Sequence, residues 1–276
     1  MRYISKYVYR KKGHAIIRKF LRKQWDKDSG TYFNLNFNQL KRDKAFQRQL
    51  INEQNGFCCY CMRHLNKGEI TLEHVMPQKI KLEDIATDVK YYAQYGRLKR
   101  KYVKYINPIP KIRKLKVPPY PHSIAYENIV ASCNGKLYDN GEAYALHQCC
   151  NNFRGNKKIV PFFFIREIGA QIEYRKDGTI DCPERFDNSV KVLNLEQRSL
   201  VFIRRIWAAI VKAGITVNDV KAAQSDGLLR EDIIADIDLK KAERDKLKNN
   251  IYWNLLNEFY WFHGYYKKRF KNEIQV

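Results

Sequence analysis

The chain has 276 residues, 45% of them hydrophobic, enough for one large domain or a core domain with a smaller appendage around a packed interior. Its 52 Lys and Arg against 29 Asp and Glu leave a net charge of +23, far beyond what solubility requires; the excess points to a polyanion such as nucleic acid, with ribosomal-type binding or a membrane surface also compatible. "MRYISKYVYRKKGH" lacks the apolar run of a secretory signal and "NIYWNLLNEFYWFHGYY" is too short and polar to span a bilayer, so the expectation is a soluble, cytoplasmic chain with no membrane segment.

Residues 1–30 carry ten basic and two acidic residues with no clear period, which reads as a cationic arm or an irregular surface layer within a basic N-terminal helical segment, 1–56. Phe37, Leu40, Phe46, Leu50 and Ile51 approximate one face of a helix that Asn55-Gly56 ends. "GEITLEHVMP" reads as a short strand: Ile70 and Leu72 alternate with polar neighbours, Gly68 supplies the turn before them and Pro77 stops pairing after them. Residues 79–126 look like an insertion. Its part from 95 to 120 holds nine basic residues, no acids and four tyrosines, a composition suited to following phosphates and stacking on bases, though tyrosines in a Pro-rich loop also simply pack.

"ENIVASC" is a second apolar run ending on Cys133, followed by a Gly- and Asn-rich insertion, 134–146, and by "LHQCCNNFRGNKK", which looks like the start of a helix. A hairpin is expected around Asp177-Gly178, with alternation through Ala170, Ile172 and Tyr174. Leu200, Ile203, Ile206, Trp207 and Ile210 lie at helical spacing up to a Gly214 stop, and two more helices are expected over 229–247 and 250–266. The aromatic excess at Tyr252, Trp253, Phe259, Tyr260, Trp261 and Phe262 suits a buried helix or a partner surface.

Seven cysteines, an odd number gathered mostly into two clusters, suit metal ligation in a reducing compartment better than disulfides, with Cys182 as an ordinary packed thiol. Cys58 and Cys61 form a C-x-x-C pair, and Cys133 with Cys150 completes a set of four at the spacing of a tetrahedral zinc site. The second pair is not a C-x-x-C, so Cys59, Cys149 and His147 stay open as alternative ligands.

The ordered set "CCYC" at 58–61, "LEHVMP" at 72–77, "ENIVASC" at 127–133 and "CNNFRGN" at 150–156 resembles the HNH, or ββα-metal, endonucleases. More narrowly, "LINEQNGFCCYC", the Glu-His pair and the ending "GNK" are similar to the HNH nuclease subunits of Septu-type and retron-associated antiviral systems, with "VLNL" at 192–195 as a fainter likeness downstream. The resemblance implies that His74 is the general base, that Glu73 and Asn151 hold a catalytic Mg²⁺ or Mn²⁺, and that Asn128 ties the loop behind the histidine. Glu73 stands where the family usually has Asp, and on a strand Glu73 and His74 point to opposite faces, so both meet substrate only if the strand end is bulged or the metal sits between them; orienting His74 is the alternative role for the acid. Asn152 is the neighbour of Asn151 that fits the same role, and either asparagine is also a helix cap. Arg154 and Lys157, a turn onward, are candidates to meet a phosphate.

The expected architecture is α+β: a ββα-metal core on a four-cysteine zinc knuckle over 57–158, flanked by the N-terminal helical segment and by a hairpin and helical region over 159–276. The expected function is a metal-dependent endonuclease acting on DNA or RNA. By resemblance it is the effector of an antiviral system, with a partner ATPase and, in a retron setting, an RNA/DNA complex; the chain carries no P-loop pattern of its own. The alternative is a non-catalytic, zinc-stabilised nucleic-acid-binding or adaptor subunit.

Overall fold

The computed structural model describes residues 1–33, 35–66, 70–78, 120–137 and 148–274. The basic tract from 95 to 119, most of the insertion over 138–146 and His147 lie outside the described residues. The fold is α+β and mostly helical, with three two-stranded antiparallel pairs among the described residues.

Helix α1 (Lys6–Gln24) takes the place of the irregular cationic arm expected there. It buries Gly13, His14, Ile17, Phe20 and Leu21 at helical spacing. The period escapes a hydropathy reading because part of the buried face is polar. Lys6 donates to Glu53 and to the Ile129 carbonyl, and His14 Nε2 lies 2.6 Å from the Glu127 carboxylate. A Cβ on Gly13 would meet the Tyr126 ring at 2.4 Å, so only glycine lets the helix approach so closely. Strands β1 (Trp25–Asp26) and β2 (Thr31–Tyr32) form a small hairpin.

The single helix expected from Phe37 is two: α2 (Phe37–Lys41), capped by the Asn36 side chain, and α3 (Lys44–Glu53), capped by Asp43, whose carboxylate accepts from the amides of Ala45 and Phe46. Asp43 starts a new helix because its side chain replaces the carbonyls that a continuous helix would offer those amides. After the break, α2 meets the end of the next strand, where the Phe37 ring packs on His74.

β3 (Ile70–His74) pairs antiparallel with β4 (Ile129–Cys133) in unbroken register, Ile70 opposite Cys133 and His74 opposite Ile129. The outer edge of β4 is closed by side chain and loop rather than by a third strand: the Gln54 amide both donates to and accepts from Ala131, whose carbonyl also receives the Cys59 amide. Tyr120, Ile124 and Tyr126, at the end of the stretch expected to be an insertion, are buried in the core behind the strands. Helix α4 (Cys150–Arg154) follows, and Gly155 ends it at φ +54.

Beyond a Phe162–Phe164 turn, α5 (Ile168–Gln171) occupies part of the alternation expected as strand, leaving only β5 (Glu173–Tyr174) and β6 (Ile180–Asp181) around Gly178. The tight turn of that hairpin is held by Arg204, 1% exposed, which donates to the carbonyls of Gly178 and Leu195. α6 (Glu184–Val192) leads into α7 (Arg198–Lys212), whose buried Leu200, Ile203, Ile206, Trp207 and Ile210 are those the spacing picks out. The expected long helix over 229–247 is α9 (Gly227–Asp236) and α10 (Lys241–Leu247), preceded by an unanticipated α8 (Val217–Ala222). The helix expected over 250–266 is likewise two, α11 (Asn250–Glu258) and α12 (Trp261–Ile274), with α12 packed along α7.

The aromatic C-terminal helices form core. Tyr252, Trp253, Phe259 and Phe262 are buried, the Trp253 indole donates to the Val220 carbonyl and the Trp207 indole to that of Leu256. α11 also reaches the cysteine knuckle: Glu258 accepts from Arg63 at 2.6 Å, and its carbonyl receives the His64 amide. No helix among the described residues is long and apolar enough to cross a membrane.

Candidate metal centre and active site

Cys58, Cys61, Cys133 and Cys150 are all buried, and their four Sγ atoms lie within 4.8 Å of one another. Cys58 and Cys150 are 3.9 Å apart and Cys61 and Cys133 3.7 Å. Four thiolates on a zinc ion at about 2.3 Å form a tetrahedron with edges of about 3.8 Å. The donor set therefore fits a metal ion such as zinc in number, chemistry and spacing.

Backbone geometry brings the cysteines together. Cys58 and Cys61 ride a tight turn in which the Met62 amide reaches the Cys58 carbonyl, Met62 taking φ +66. Cys133 ends β4, and Cys150 opens α4 at φ +55 with its amide on the Leu193 carbonyl. Asn194 donates to the Gln148 carbonyl at 2.8 Å, so the "VLNL" segment buttresses the second cysteine cluster. At Gly135, φ +70, an added Cβ would sit 2.0 Å from the Cys149 carbonyl oxygen, a contact only glycine avoids. Cys59 and Cys149 are buried beside the four, and His147 is outside the described residues.

The cluster joins the end of β4 to the first residue of α4, and β4 carries β3 with it. Next to this junction a cleft of about 260 Å³ is lined by Glu73, His74, Asn151 and Arg154, together with Phe37, Asn38 and Lys41 of α2. Four of the expected site residues, Glu73, His74, Asn151 and Arg154, thus share one cleft. No bulge is needed for Glu73 and His74 to do so, because the register runs unbroken to His74 and the cleft wraps the strand end.

His74 Nε2 lies 3.0 Å from the Ser123 carbonyl oxygen. A carbonyl only accepts, so Nε2 carries the hydrogen and Nδ1 is left with its lone pair. Burial, with the charges of His122, Arg154 and Lys41 around it, pushes the imidazole down to about 4, and it is therefore neutral near pH 7. The Phe37 ring, 4.1 Å from it centroid to centroid, fixes its plane.

Glu73 is 7% exposed. Burial pushes its carboxyl up to about 8, even though Arg154 and Lys41 act to lower it. Glu73 and Asn151 line the same cleft, and a carboxyl that gives up its proton together with an amide oxygen is a hard-donor set of the kind that Mg²⁺ or Mn²⁺ accepts.

Asn128, fully buried, does not reach the cleft. Its side chain accepts from the Met76 amide at 2.8 Å and donates to the carbonyls of Met76 and His122, while its own carbonyl receives the Val75 amide. His122 Nε2 lies 2.9 Å from the Pro77 carbonyl. The chain leaving β3 is in this way held residue by residue from behind.

Arg154 also serves that loop. It is 2% exposed and donates to the carbonyls of His74, Val75 and Lys157 and to the Tyr60 hydroxyl, at 2.9 to 3.1 Å. Its guanidinium clamps the strand end to the cysteine knuckle, which departs from the phosphate contact expected of it. Lys157 is exposed, does not line the cleft, and lies over the Phe153 ring at 5.7 Å. Asn152 is exposed and likewise outside the cleft.

Phe37, Asn38, Lys41, His122 and the Ser123 carbonyl are site features that the motif reading omits. No spacing relation ties residues 37–41 to Glu73 and His74; only the turn at Asp43 brings them over the strand end. No family model, no curated protein and no solved structure matches the chain.

Proposed function

We propose that the protein is a metal-dependent endonuclease of the HNH, ββα-metal type, hydrolysing phosphodiester bonds of DNA or RNA. The observation that carries the reading is the cleft shared by His74, Glu73 and Asn151 at the end of an antiparallel strand pair, beside four clustered thiols that fit a structural zinc ion.

The imidazole of His74, neutral and anchored through Nε2, takes a proton from water on Nδ1 as the water oxygen bonds to phosphorus. The bond to the 3′-oxygen breaks, and that oxygen leaves with a proton from solvent, giving a 5′-phosphate and a 3′-hydroxyl. A Mg²⁺ or Mn²⁺ ion held by the Glu73 carboxylate and the Asn151 side-chain carbonyl would supply stabilisation of charge on the phosphate and the departing oxygen. Asn128, His122 and Arg154 keep the loop after β3 in place, so that the His74 ring meets Ser123 and Phe37 in one orientation. Phosphate contact by Lys157 would need substrate to run along the outer side of α4.

The role as effector of a Septu-like or retron-associated antiviral system, with a partner ATPase, rests on the motif resemblance alone. A non-catalytic, zinc-stabilised nucleic-acid binder would need only the charge of +23 and the thiol cluster, and gives no role to the convergence of His74, Glu73 and Asn151 on one cleft. Purified protein with Mg²⁺ or Mn²⁺ is expected to cut matched DNA or RNA panels, and His74→Ala to abolish cutting at unchanged zinc content and melting temperature. Equal cutting by parent and variant would remove His74 as the base, and a parent inert on every substrate would leave the binding reading in its place.

A further inference from the structure

We propose that Lys41, on the short helix α2 and outside the motifs that define the core, is the residue that grips the phosphate in the cleft, its ammonium contacting non-bridging oxygens of the nucleic-acid backbone. The inference rests on the reading of the cleft as a phosphodiester site and names the contact that reading lacks.

Two cations line the cleft among the described residues, Arg154 and Lys41. The first faces inward, donating to the carbonyls of His74, Val75 and Lys157 and to Tyr60. Lys41 is half-buried at the C-terminal end of α2 and makes no ion pair among the described residues. It lines the same cleft as Glu73, His74 and Asn151. Asn38, one turn earlier on the same face, lines the cleft with it, and Phe37 packs on His74. The helix is held there: Asn36 caps its start, and the Gln47 side chain donates to the Lys41 carbonyl at 2.8 Å, so the side chain projects from a fixed backbone. An ammonium without an ion pair among the described residues, in a cleft shared with a buried carboxyl and an imidazole, is the arrangement that a phosphate diester, bringing one negative charge, completes.

The test separates binding from turnover. In a His74→Ala background, fluorescence anisotropy of a labelled oligonucleotide, supplied as DNA and as RNA of one sequence, gives Kd as a function of salt. Lys41→Met keeps the aliphatic stem and removes the charge, while Lys44→Met removes an exposed charge three residues away, outside the cleft. Lys41→Met is expected to weaken binding several-fold more than Lys44→Met and to lower the slope of log Kd against log salt by about 0.7 to 0.9, the loss of one phosphate contact. With His74 intact, Lys41→Met is expected to slow cleavage at saturating substrate at least tenfold, and Lys41→Arg to restore part of the rate. Equal slopes and equal rates for the Lys41 and Lys44 variants overturn the inference while leaving the nuclease reading standing. A parent that binds but never cuts sinks the nuclease reading and leaves the binding arm to decide Lys41. A parent that binds no oligonucleotide overturns both.

Discussion

Truncating Cys150 and Cys149 in turn tests which thiols hold the metal. Both side chains are fully buried, so if neither were a ligand each alanine would delete one packed sulfur at a cost of about 1–2 kcal/mol. A ligand behaves otherwise. The Sγ atoms of Cys58, Cys61, Cys133 and Cys150 all lie within 4.8 Å of one another, so contraction to tetrahedral edges of about 3.8 Å moves no pair by more than 4.8 − 3.8 = 1.0 Å. Structural zinc contributes roughly 10–16 kcal/mol of apparent binding free energy, as much as the entire stability of an ordinary domain, about 5–15 kcal/mol. Cys150→Ala is therefore expected to lower bound zinc well below one per chain and to abolish cooperative melting of the region around β3, β4 and α4. Cys149→Ala is expected to keep one zinc per chain and to lose only the packing increment. Metal analysis by mass spectrometry, with thermal melts on protein from zinc-supplemented cultures, reads both. One zinc per chain in Cys150→Ala, or zinc loss in Cys149→Ala alone, would refute the assigned ligand set; a parent purified with no zinc at all would refute the centre.

Arg154→Lys removes a fork that spans two successive carbonyls and the Tyr60 hydroxyl, which one ammonium cannot reproduce. Cleavage should fall at least tenfold while the oligonucleotide Kd stays within about twofold, since unpaired buried carbonyls, each worth about 1–3 kcal/mol, loosen the loop without removing a phosphate contact; a changed Kd and salt slope would return Arg154 to the phosphate. Glu127→Gln probes the buried network behind the strands. Burial pushes the Glu127 carboxyl up, but His14 and then Arg10 hold it below its ordinary 4.5. A depressed carboxylate contributes stability that is present above about pH 4.5 and lost as pH falls through the folded value, so the variant should be less stable by about 1–3 kcal/mol at pH 7, with the gap closing below pH 4.5 in urea titrations. A gap that is constant or widens on acidification would contradict the network.

Elements with a local cause were legible in the chain alone. Ile70 to His74 and Ile129 to Cys133 alternate or run apolar between turn residues and are strands; Leu200 to Ile210 repeats at helical spacing and is α7; Gly178 marks its hairpin because it alone tolerates φ +87 against the Val201 carbonyl. The four clustered cysteines were legible too, from C-x-x-C spacing and grouping. Separating Cys150 from Cys149 took the folded chain, because neighbouring residues at a helix start differ in direction rather than in chemistry, and the φ of +55 that turns Cys150 inward is held by the Leu193 carbonyl, 43 residues away in sequence. Three-dimensional packing likewise gives α1 its buried face, since Lys6 and His14 look solvated until Glu53 and Glu127 meet them inside the core. It sets Arg154 to clamping the strand end and brings Lys41 over the cleft. A charged side chain's role depends on which oxygens surround it, and those oxygens come from segments that contact one another only after the chain has folded.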